Sequence, residues 1–247
     1  MELLVISAGM PKSGSAYIYN IINQLMIQSG MSDGGDIKER FHLEMLLKGT
    51  NNRIDINCRK IDMVRLWLIS LMYKSFAVKT HLHPDRIPKW MIRLGLIKII
   101  YIYRDPRDVL VSAMDRGKKE IAGNREGYFT RCVDFDAALL EVKRWIQNGQ
   151  AYLKLNKALI VRYEELHDHP EVCLQRIAAF LRLRVSPLVA PKILYQFSAD
   201  NPEVPGGKLN LNQARIGRYK DALSAEQQKV LMEVLGTSIR ELGYGTG

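Results

Sequence analysis

The chain has 247 residues, 47% of them hydrophobic, and a formal net charge of +10 from 36 basic and 26 acidic residues. A chain of this size buries one substantial core, and no Pro/Gly/Ser-rich linker divides it, so we expect a single domain over residues 1–247. The charge favours an anionic ligand. No run of five Lys or Arg and no zinc-finger, basic-zipper or aromatic RNA-binding pattern occurs, which argues against nucleic acid.

The first predicted element is an apolar strand, followed at once by a glycine-bounded loop and a helix. Gly9 and Gly14 bound the loop, and Lys12 lies inside it. In such a loop, backbone N–H groups, the first turn of the next helix and a lysine ammonium converge on an anionic oxygen. The P-loop pattern G-x-x-x-x-G-K-[ST] is only half met, because Ser15 and Ala16 stand where Lys and Ser/Thr should follow. The loop therefore predicts a phosphate or sulfate site that lacks the usual magnesium ligand.

Beyond this loop, helical and strand patterns alternate. Gly30 is predicted to end the first helix, and Asp105 is predicted to cap a later one that begins at Pro106. Further helices are predicted over 37–47, 61–72, 106–114, 135–146 and 174–181 and after a capping box at 224–227, and strands over 76–79, 97–103 and 158–161. This order predicts an α/β fold with a P-loop-like, mostly parallel sheet flanked by helices and with ligand loops at the carboxyl ends of the strands.

Three cysteines bear on the cellular compartment. Cys58, Cys132 and Cys173 are odd in number, far apart and without metal-ligand spacing, so we expect reduced, buried thiols and a cytoplasmic protein. The longest later apolar stretch, Leu66 to Tyr73, is far shorter than a bilayer span, and no signal-peptide pattern opens the chain. The sequence therefore predicts no transmembrane segment.

Five segments are similar to segments of the sulfotransferases that use 3′-phosphoadenosine 5′-phosphosulfate (PAPS) as sulfuryl donor. Residues 11–15, Pro-Lys-Ser-Gly-Ser, resemble the family's 5′-phosphosulfate loop, and residues 79–82, Lys-Thr-His-Leu, lie just past the second predicted strand, as in the cytosolic enzymes. Residues 101–112 resemble the 3′-phosphate segment, residues 161–166 the strand end whose tyrosine touches adenine, and residues 217–220 the segment that closes over the nucleotide. The resemblance covers nearly the full chain.

The resemblance implies which residues bind PAPS. Arg104 and Ser112 would hold the 3′-phosphate, and Tyr163 would contact the adenine. An arginine fork binds a phosphate bidentately, and an aromatic ring offers a base a stacking face. The residues implied at the 5′-phosphosulfate or beside the base are Lys12, Ser13, Gly14, Ser15, Ala16 and Tyr17, the last in place of the family's usual tryptophan.

The C-terminal match departs from the family pattern. The family's Arg-Lys-Gly falls on Asn212, Gln213 and Ala214, so that phosphate contact is missing. Two interpretations stay open: Arg215 replaces the missing phosphate contact from two residues away, or it does not bind the phosphate. Gly217 is the glycine of the closing segment. The family's dimer segment is matched only by its first lysine, so the sequence leaves the oligomeric state open.

His81 is the predicted general base, because removing a proton from the acceptor near neutral pH suits an imidazole. His83 meets the same chemical argument, and only the position within Lys-Thr-His-Leu favours His81. Lys12 would stabilise charge that develops on the leaving nucleotide, and Lys79 would share that work or orient the transferred group.

The sequence thus predicts an enzyme that moves a sulfuryl group from PAPS to a hydroxyl or amine and releases 3′-phosphoadenosine 5′-phosphate (PAP) without a metal. The alternatives are a P-loop nucleoside or nucleotide kinase and a non-catalytic relative that binds PAPS or a polyanion. The acceptor is expected to be a small molecule, a lipid or a polyketide-like hydroxyl. Its pocket is predicted from residues 31–60, 115–133 and 198–211.

Overall fold

The computed structural model describes residues 3–186, 188–197, 201 and 215–245. Its strands are β1 Leu4–Gly9, β2 Leu47–Lys48, β3 Arg53–Ile54, β4 Phe76–Thr80, β5 Ile97–Tyr103 and β6 Ala158–Arg162. They form a six-stranded sheet in the order β2-β3-β4-β1-β5-β6, and within it the β2–β3 pair is antiparallel while the other pairs are parallel.

Helices of very different length surround this sheet. They are α1 Ser15–Gln28, α2 Gly34–Arg40, α3 Lys60–Tyr73, α4 Lys89–Leu94, α5 Pro106–Ala122, α6 Phe135–Leu153, α7 Tyr163–Asp168, α8 Pro170–Leu181, α9 Ala190–Gln196, α10 Tyr219–Ala222 and α11 Ala225–Glu241. Two short 3-10 helices span Pro84–Arg86 and Tyr128–Cys132.

The side chains of β1, at the centre of the sheet, alternate between two cores. Leu4 and Ile6 pack with residues of α3, α5, α6 and α11, whereas Val5 packs with residues of α1, α8 and α9 on the opposite face. Because helices cover both faces, β1 is buried at every position and β5 at all but Lys98. This explains why both strands read as continuous apolar runs. The predicted α/β fold with a mostly parallel, helix-flanked sheet is confirmed.

Most predicted elements form, and one is largely wrong. Asp105 caps α5 as predicted, because its side chain accepts from the Arg107 N–H at 2.9 Å, and α5 continues past its predicted end. The helix predicted over 37–47 ends instead at Arg40. His42 there adopts a left-handed φ of 50°, which cannot continue a right-handed helix. The short elements β2, β3, α7 and α9 were not predicted, since each is too brief to show a period.

The three cysteines, Cys58, Cys132 and Cys173, are free and buried, as predicted. Burial is the main cause that raises the pKa of each thiol, to about 12 for Cys58. Across the described ranges, no helix combines the length and apolar character needed to cross a bilayer.

Candidate active site

The loop between β1 and α1 is held in a tight shape by its own hydrogen bonds. Lys12 adopts a left-handed φ of 66°. The fully buried Ser13 hydroxyl donates to the Met10 carbonyl oxygen at 2.5 Å and lies 3.2 Å from that of Ile102 on β5. The Ser13 side chain therefore braces the loop against the sheet. Its contact with a phosphosulfate stays a prediction.

Gly14 lies against the ring of Tyr163, the first residue of α7. A Cβ added at Gly14 would lie 2.8 Å from Tyr163 Cδ2, and the φ of 78° is itself one that favours glycine. Ser15 and Ala16 begin α1, so their N–H groups have no intrahelical acceptor and are available to an anion. Tyr17 is half-buried and packs against the core that contains Tyr163, and burial, followed by the nearby Tyr163, raises the pKa of Tyr17. The structure thus brings Gly14 and Tyr17 to Tyr163, with Ser15 and Ala16 between them in the first turn of α1.

Arg104 follows β5 directly and is 5% exposed. Its guanidinium lies 4.2 Å from the ring centroid of Tyr163, and its Nη2 donates to Asp108 at 3.0 Å. Its buried Nε has no hydrogen-bond partner in the part of the chain that the structure describes. Leaving a buried charged donor unpaired is costly. The geometry of Arg104 is therefore suited to an anionic ligand.

Asp108 connects Arg104 to the segment 215–219, and the sequence reading did not single it out. Its carboxylate, on α5 and 1% exposed, accepts from the N–H groups of Gly217 at 2.8 Å and Tyr219 at 3.2 Å. Arg104 Nη2 also donates to the Arg215 carbonyl oxygen at 2.7 Å. The i,i+4 spacing from Arg104 was the available signal. The Gly217 N–H therefore bonds within the protein, and its contact with the nucleotide stays a prediction.

Two further residues, Ser112 and Arg215, were predicted to contact phosphate. Ser112 lies one turn beyond Asp108 on α5 and is 5% exposed. The exposed Arg215 guanidinium pairs with Asp221, so its substitution for the family's missing basic residues is still a prediction. Residues 212–214, and the predicted acceptor segment 198–211 apart from residue 201, lie outside the described residues.

Lys12 and Lys79 form a cationic cluster at the carboxyl edge of the sheet. Lys79 and Thr80 are the last residues of β4 rather than following a strand, and β4 is the fourth strand along the chain. Burial lowers the pKa of both lysines to about 8, helped by Arg116 for Lys12 and by Arg53 and Lys12 for Lys79. In the described part of the chain, no group of three His, Cys, Asp or Glu side chains is arranged to hold a metal ion.

His81 follows β4 and is positioned by a hydrogen bond of its own ring and by one that holds the next residue. Its Nδ1 lies 2.6 Å from the Gly9 carbonyl oxygen, which can only accept, so Nδ1 carries the proton and Nε2 keeps its lone pair. Burial, with the charge of Lys79, lowers the pKa of His81 to about 3. The Tyr152 hydroxyl donates to the Leu82 carbonyl oxygen at 2.6 Å and holds the next residue. His81 is therefore a neutral imidazole with a free basic nitrogen beside Lys79.

Aromatic side chains border the cluster on the side of the predicted acceptor segment 115–133. Lys12 Nζ lies 5.3 Å from the ring centroid of Phe129. Phe129, Tyr128 and Trp145 contact one another, with centroids 5.5 to 6.2 Å apart. An open groove of about 780 Å³ lies next to them at the end of α5. Phe129 is a second residue that the sequence reading did not single out.

Comparison with known proteins places this site in a family. Residues 4–205 match the family described as Sulfotransferase domain, and the chain belongs to that family. Sulfotransferase 1 family member D1 of Mus musculus is 25% identical over 201 residues, which are 76% of this chain and 62% of that protein. Sulfotransferase 1B1 of Canis lupus familiaris is 26% identical over 216 residues, 81% of this chain and 67% of that protein. The chain thus spans less than two thirds of the mouse relative.

Solved structures share the fold. Mouse sulfotransferase SULT7A1 complexed with PAP matches with a TM-score of 0.63 at 16% identity, over 97% of this chain and 84% of that one. Retinol dehydratase in complex with androsterone and PAP matches with a TM-score of 0.62 at 17% identity, over 96% and 81%. The sulfotransferase domain from the curacin biosynthetic pathway matches with a TM-score of 0.53 at 16% identity, over 99% of this chain and 98% of that one. The predicted P-loop-like sulfotransferase fold is confirmed.

Proposed function

We propose that this protein is a PAPS-dependent sulfotransferase that acts on a hydroxyl or amine acceptor. The observation that carries the proposal is that Lys12, Lys79 and a neutral His81 meet at the carboxyl edge of the sheet, where the buried Arg104 also follows β5. PAPS supplies the sulfuryl group, which passes in line to the acceptor and leaves PAP. Family membership supports this reaction class.

Arg104 and its surroundings are proposed to hold the 3′-phosphate. The unpaired buried Nε of Arg104 supplies a donor, and Ser112 on α5 adds a hydroxyl. The 5′ end of the nucleotide is assigned to the loop, where Lys12 supplies charge and the first N–H groups of α1 supply directional donors. Tyr163 is 7% exposed and is covered by Arg104, so its proposed adenine contact is with its ring edge or hydroxyl rather than an open face.

His81 is proposed to accept the acceptor's proton at Nε2. The Nδ1–H bond to Gly9 keeps the other nitrogen free and aims it away from β1. Lys12 and Lys79 then stabilise the negative charge that grows on the departing oxygen, because their ammonium groups are already fixed in a poorly solvated site. These residues bind and orient, and His81 moves the proton.

We infer that the acceptor is a small molecule, a lipid or a polyketide-like compound with a free hydroxyl. The aromatic side chains of Tyr128, Phe129 and Trp145 beside Lys12 are suited to an apolar or aromatic acceptor. The androsterone in the retinol dehydratase complex is in keeping with such a pocket. We further propose one domain over residues 1–247 and a cytoplasmic location, in keeping with three free, buried thiols.

Incubation of the protein with labelled PAPS, a panel of phenols, sterols and lipid alcohols and excess chelator tests the proposal. Transfer of label that persists in the chelator is the expected result, because Lys12, Lys79 and Arg104 supply the cationic charge. Transfer of phosphate from ATP that chelator abolishes and magnesium restores, with no transfer of label from PAPS, would instead identify a kinase. Tight binding of PAP with no consumption of PAPS by any acceptor would identify a non-catalytic relative.

A further inference from the structure

One side of α3 is unusual for a helix that faces water. Met63, Leu66 and Ile69 are buried in the core on its inner side. On its outer side, large apolar side chains are exposed again, so α3 is apolar on two sides. The exposed apolar side chains are Ile61 at 60% exposure, Leu68 at 48%, Leu71 at 46% and Met72 at 70%.

Other long helices of the same core do not share this property. The exposed positions of α6 carry one large apolar side chain, Leu140, among charged and amide residues. The exposed positions of α11 also carry one large apolar side chain, Val234. A helix packed on one face normally turns polar residues to water. Contiguous exposed apolar groups such as those of α3 mark an interaction surface.

The remaining exposed positions of α3 are cationic. They are Lys60 and Arg65, and neither has an ion-pair partner among the described residues. The helix holds a single acidic residue, Asp62, whose side chain is 19% exposed and already bonds Arg59. The outer face of α3 therefore combines apolar side chains with uncompensated positive charge. We define it by Lys60, Ile61, Arg65, Leu68, Leu71 and Met72.

We propose that this outer face binds the surface of an anionic membrane, with α3 lying in the plane of the interface. Ile61, Arg65, Leu68 and Met72 follow one another at spacings of four, three and four residues, so they form one stripe along the helix. Lysine and arginine stems reach from such a stripe to lipid phosphates. The net charge of +10 adds to the attraction.

A second copy of this chain is a poorer match for the same face. A two-fold contact through α3 would bury Lys60 and Arg65 of both copies with no carboxylate on the face to compensate them. Anionic lipids compensate that charge and accept the apolar side chains.

The topology places this surface next to the reaction site. Because β3 and β4 are parallel, α3 begins at the carboxyl edge of the sheet and returns to its amino edge. The first turn of α3 therefore lies at the edge that carries Lys79 and His81. Membrane binding itself does not depend on the proposed reaction.

Co-sedimentation of the full chain with vesicles tests the proposal. Wild type is expected to bind phosphatidylcholine vesicles that contain phosphatidylglycerol, to bind pure phosphatidylcholine about tenfold less, and to lose the difference at high salt. Leu68→Ser with Met72→Ser should weaken binding to both kinds of vesicle by about tenfold or more. Lys60→Gln with Arg65→Gln should clearly reduce the preference for anionic vesicles.

Leu140→Ser on α6 is the matched control, since it also removes an exposed leucine from a helix and should bind like wild type. The thermal unfolding temperature of every variant shows that it is folded. Failure of wild type to bind anionic vesicles, or equal binding by the Leu68→Ser, Met72→Ser variant, would overturn the proposal. So would a wild-type dimer in sedimentation velocity that this variant converts to monomer without any vesicle binding.

Discussion

The Nδ1 atom of His81 lies 2.6 Å from the carbonyl oxygen of Gly9, and this contact joins the ends of two adjacent strands. Gly9 is the last residue of β1, and His81 follows the last residue of β4. The carbonyl oxygen can only accept, so it selects the tautomer in which Nε2 is unprotonated. One backbone group thereby leaves Nε2 of His81 with its lone pair, as the proposed base role requires.

Replacement of His81 by alanine should lower turnover by ~10²–10⁴-fold, the usual contribution of a positioned acid or base. The affinity for PAP should change little, because His81 contacts β1 rather than Arg104 or Tyr163. Steady-state kinetics with a fixed acceptor and calorimetric titration with PAP measure the two effects.

His83→Ala is the matched control for that variant. The His83 side chain is 39% exposed, and its Nδ1 accepts from the backbone N–H of Asp85 in the short 3-10 helix that follows. We expect nearly wild-type turnover. If His83→Ala were the inactive variant and His81→Ala the active one, the assignment of the base would be reversed.

The pH dependence of kcat/KM for PAPS should be flat from about pH 5 to 7 and should fall above about pH 8. Burial lowers the pKa of Lys12 and Lys79 to about 8, so both ammonium groups lose their protons as the pH rises through that value. The pKa of His81 is lowered to about 3, so its base form persists throughout.

Lys12→Arg keeps a charge that does not titrate in this range. Its alkaline fall should therefore be less steep than that of wild type. A rate that declines below pH 7 with the profile of an ordinary histidine would contradict the neutral state of His81.

Replacement of Arg104 by glutamine should reduce the affinity for PAP by one to two decades, because losing a charge-assisted contact costs roughly 1.5–3 kcal/mol. Adenosine 5′-phosphate, which lacks the 3′-phosphate, should bind almost unchanged. Thermal shifts measure both ligands, each against the unliganded form of the same variant, since loss of the Arg104–Asp108 pair also changes stability.

Arg107→Gln is the control for Arg104, because Arg107 is equally buried at the start of α5 but pairs with Asp105. This variant should change the affinities for PAP and for adenosine 5′-phosphate by the same factor. If Arg104→Gln lost affinity for both ligands equally, Arg104 would have only a structural role.

Gly14→Ala and Gly30→Ala separate backbone strain from the contact with Tyr163. Both glycines have a φ near 78°, where alanine costs roughly 1–2 kcal/mol. A Cβ at Gly30 meets nothing within 4 Å, whereas at Gly14 it meets the Tyr163 ring at 2.8 Å. Gly14→Ala should therefore unfold at a lower temperature than Gly30→Ala in calorimetry and bind PAP more weakly. Identical behaviour would show that the ring moves aside without effect.

Local patterns in the sequence were enough to predict the long helices and strands and to recognise the family. The apolar runs of β1 and β5, the cap at Asp105 and the loop around Lys12 each depend on neighbouring residues, so their structure follows from local physical chemistry. The resemblance at residues 79–82 singled out His81 as the predicted base, and that role stays a prediction.

Only the tertiary structure decided what each of these groups touches. The bond from His81 to Gly9 and that from Asp108 to Gly217 join residues 72 and 109 positions apart, which no periodicity reveals. Burial, which lowers the pKa of Lys79, is likewise set by the packing of distant segments. The exposed side of α3 is the converse case, because the sequence predicted a helix over 61–72 and only the fold shows which side of it is left uncovered.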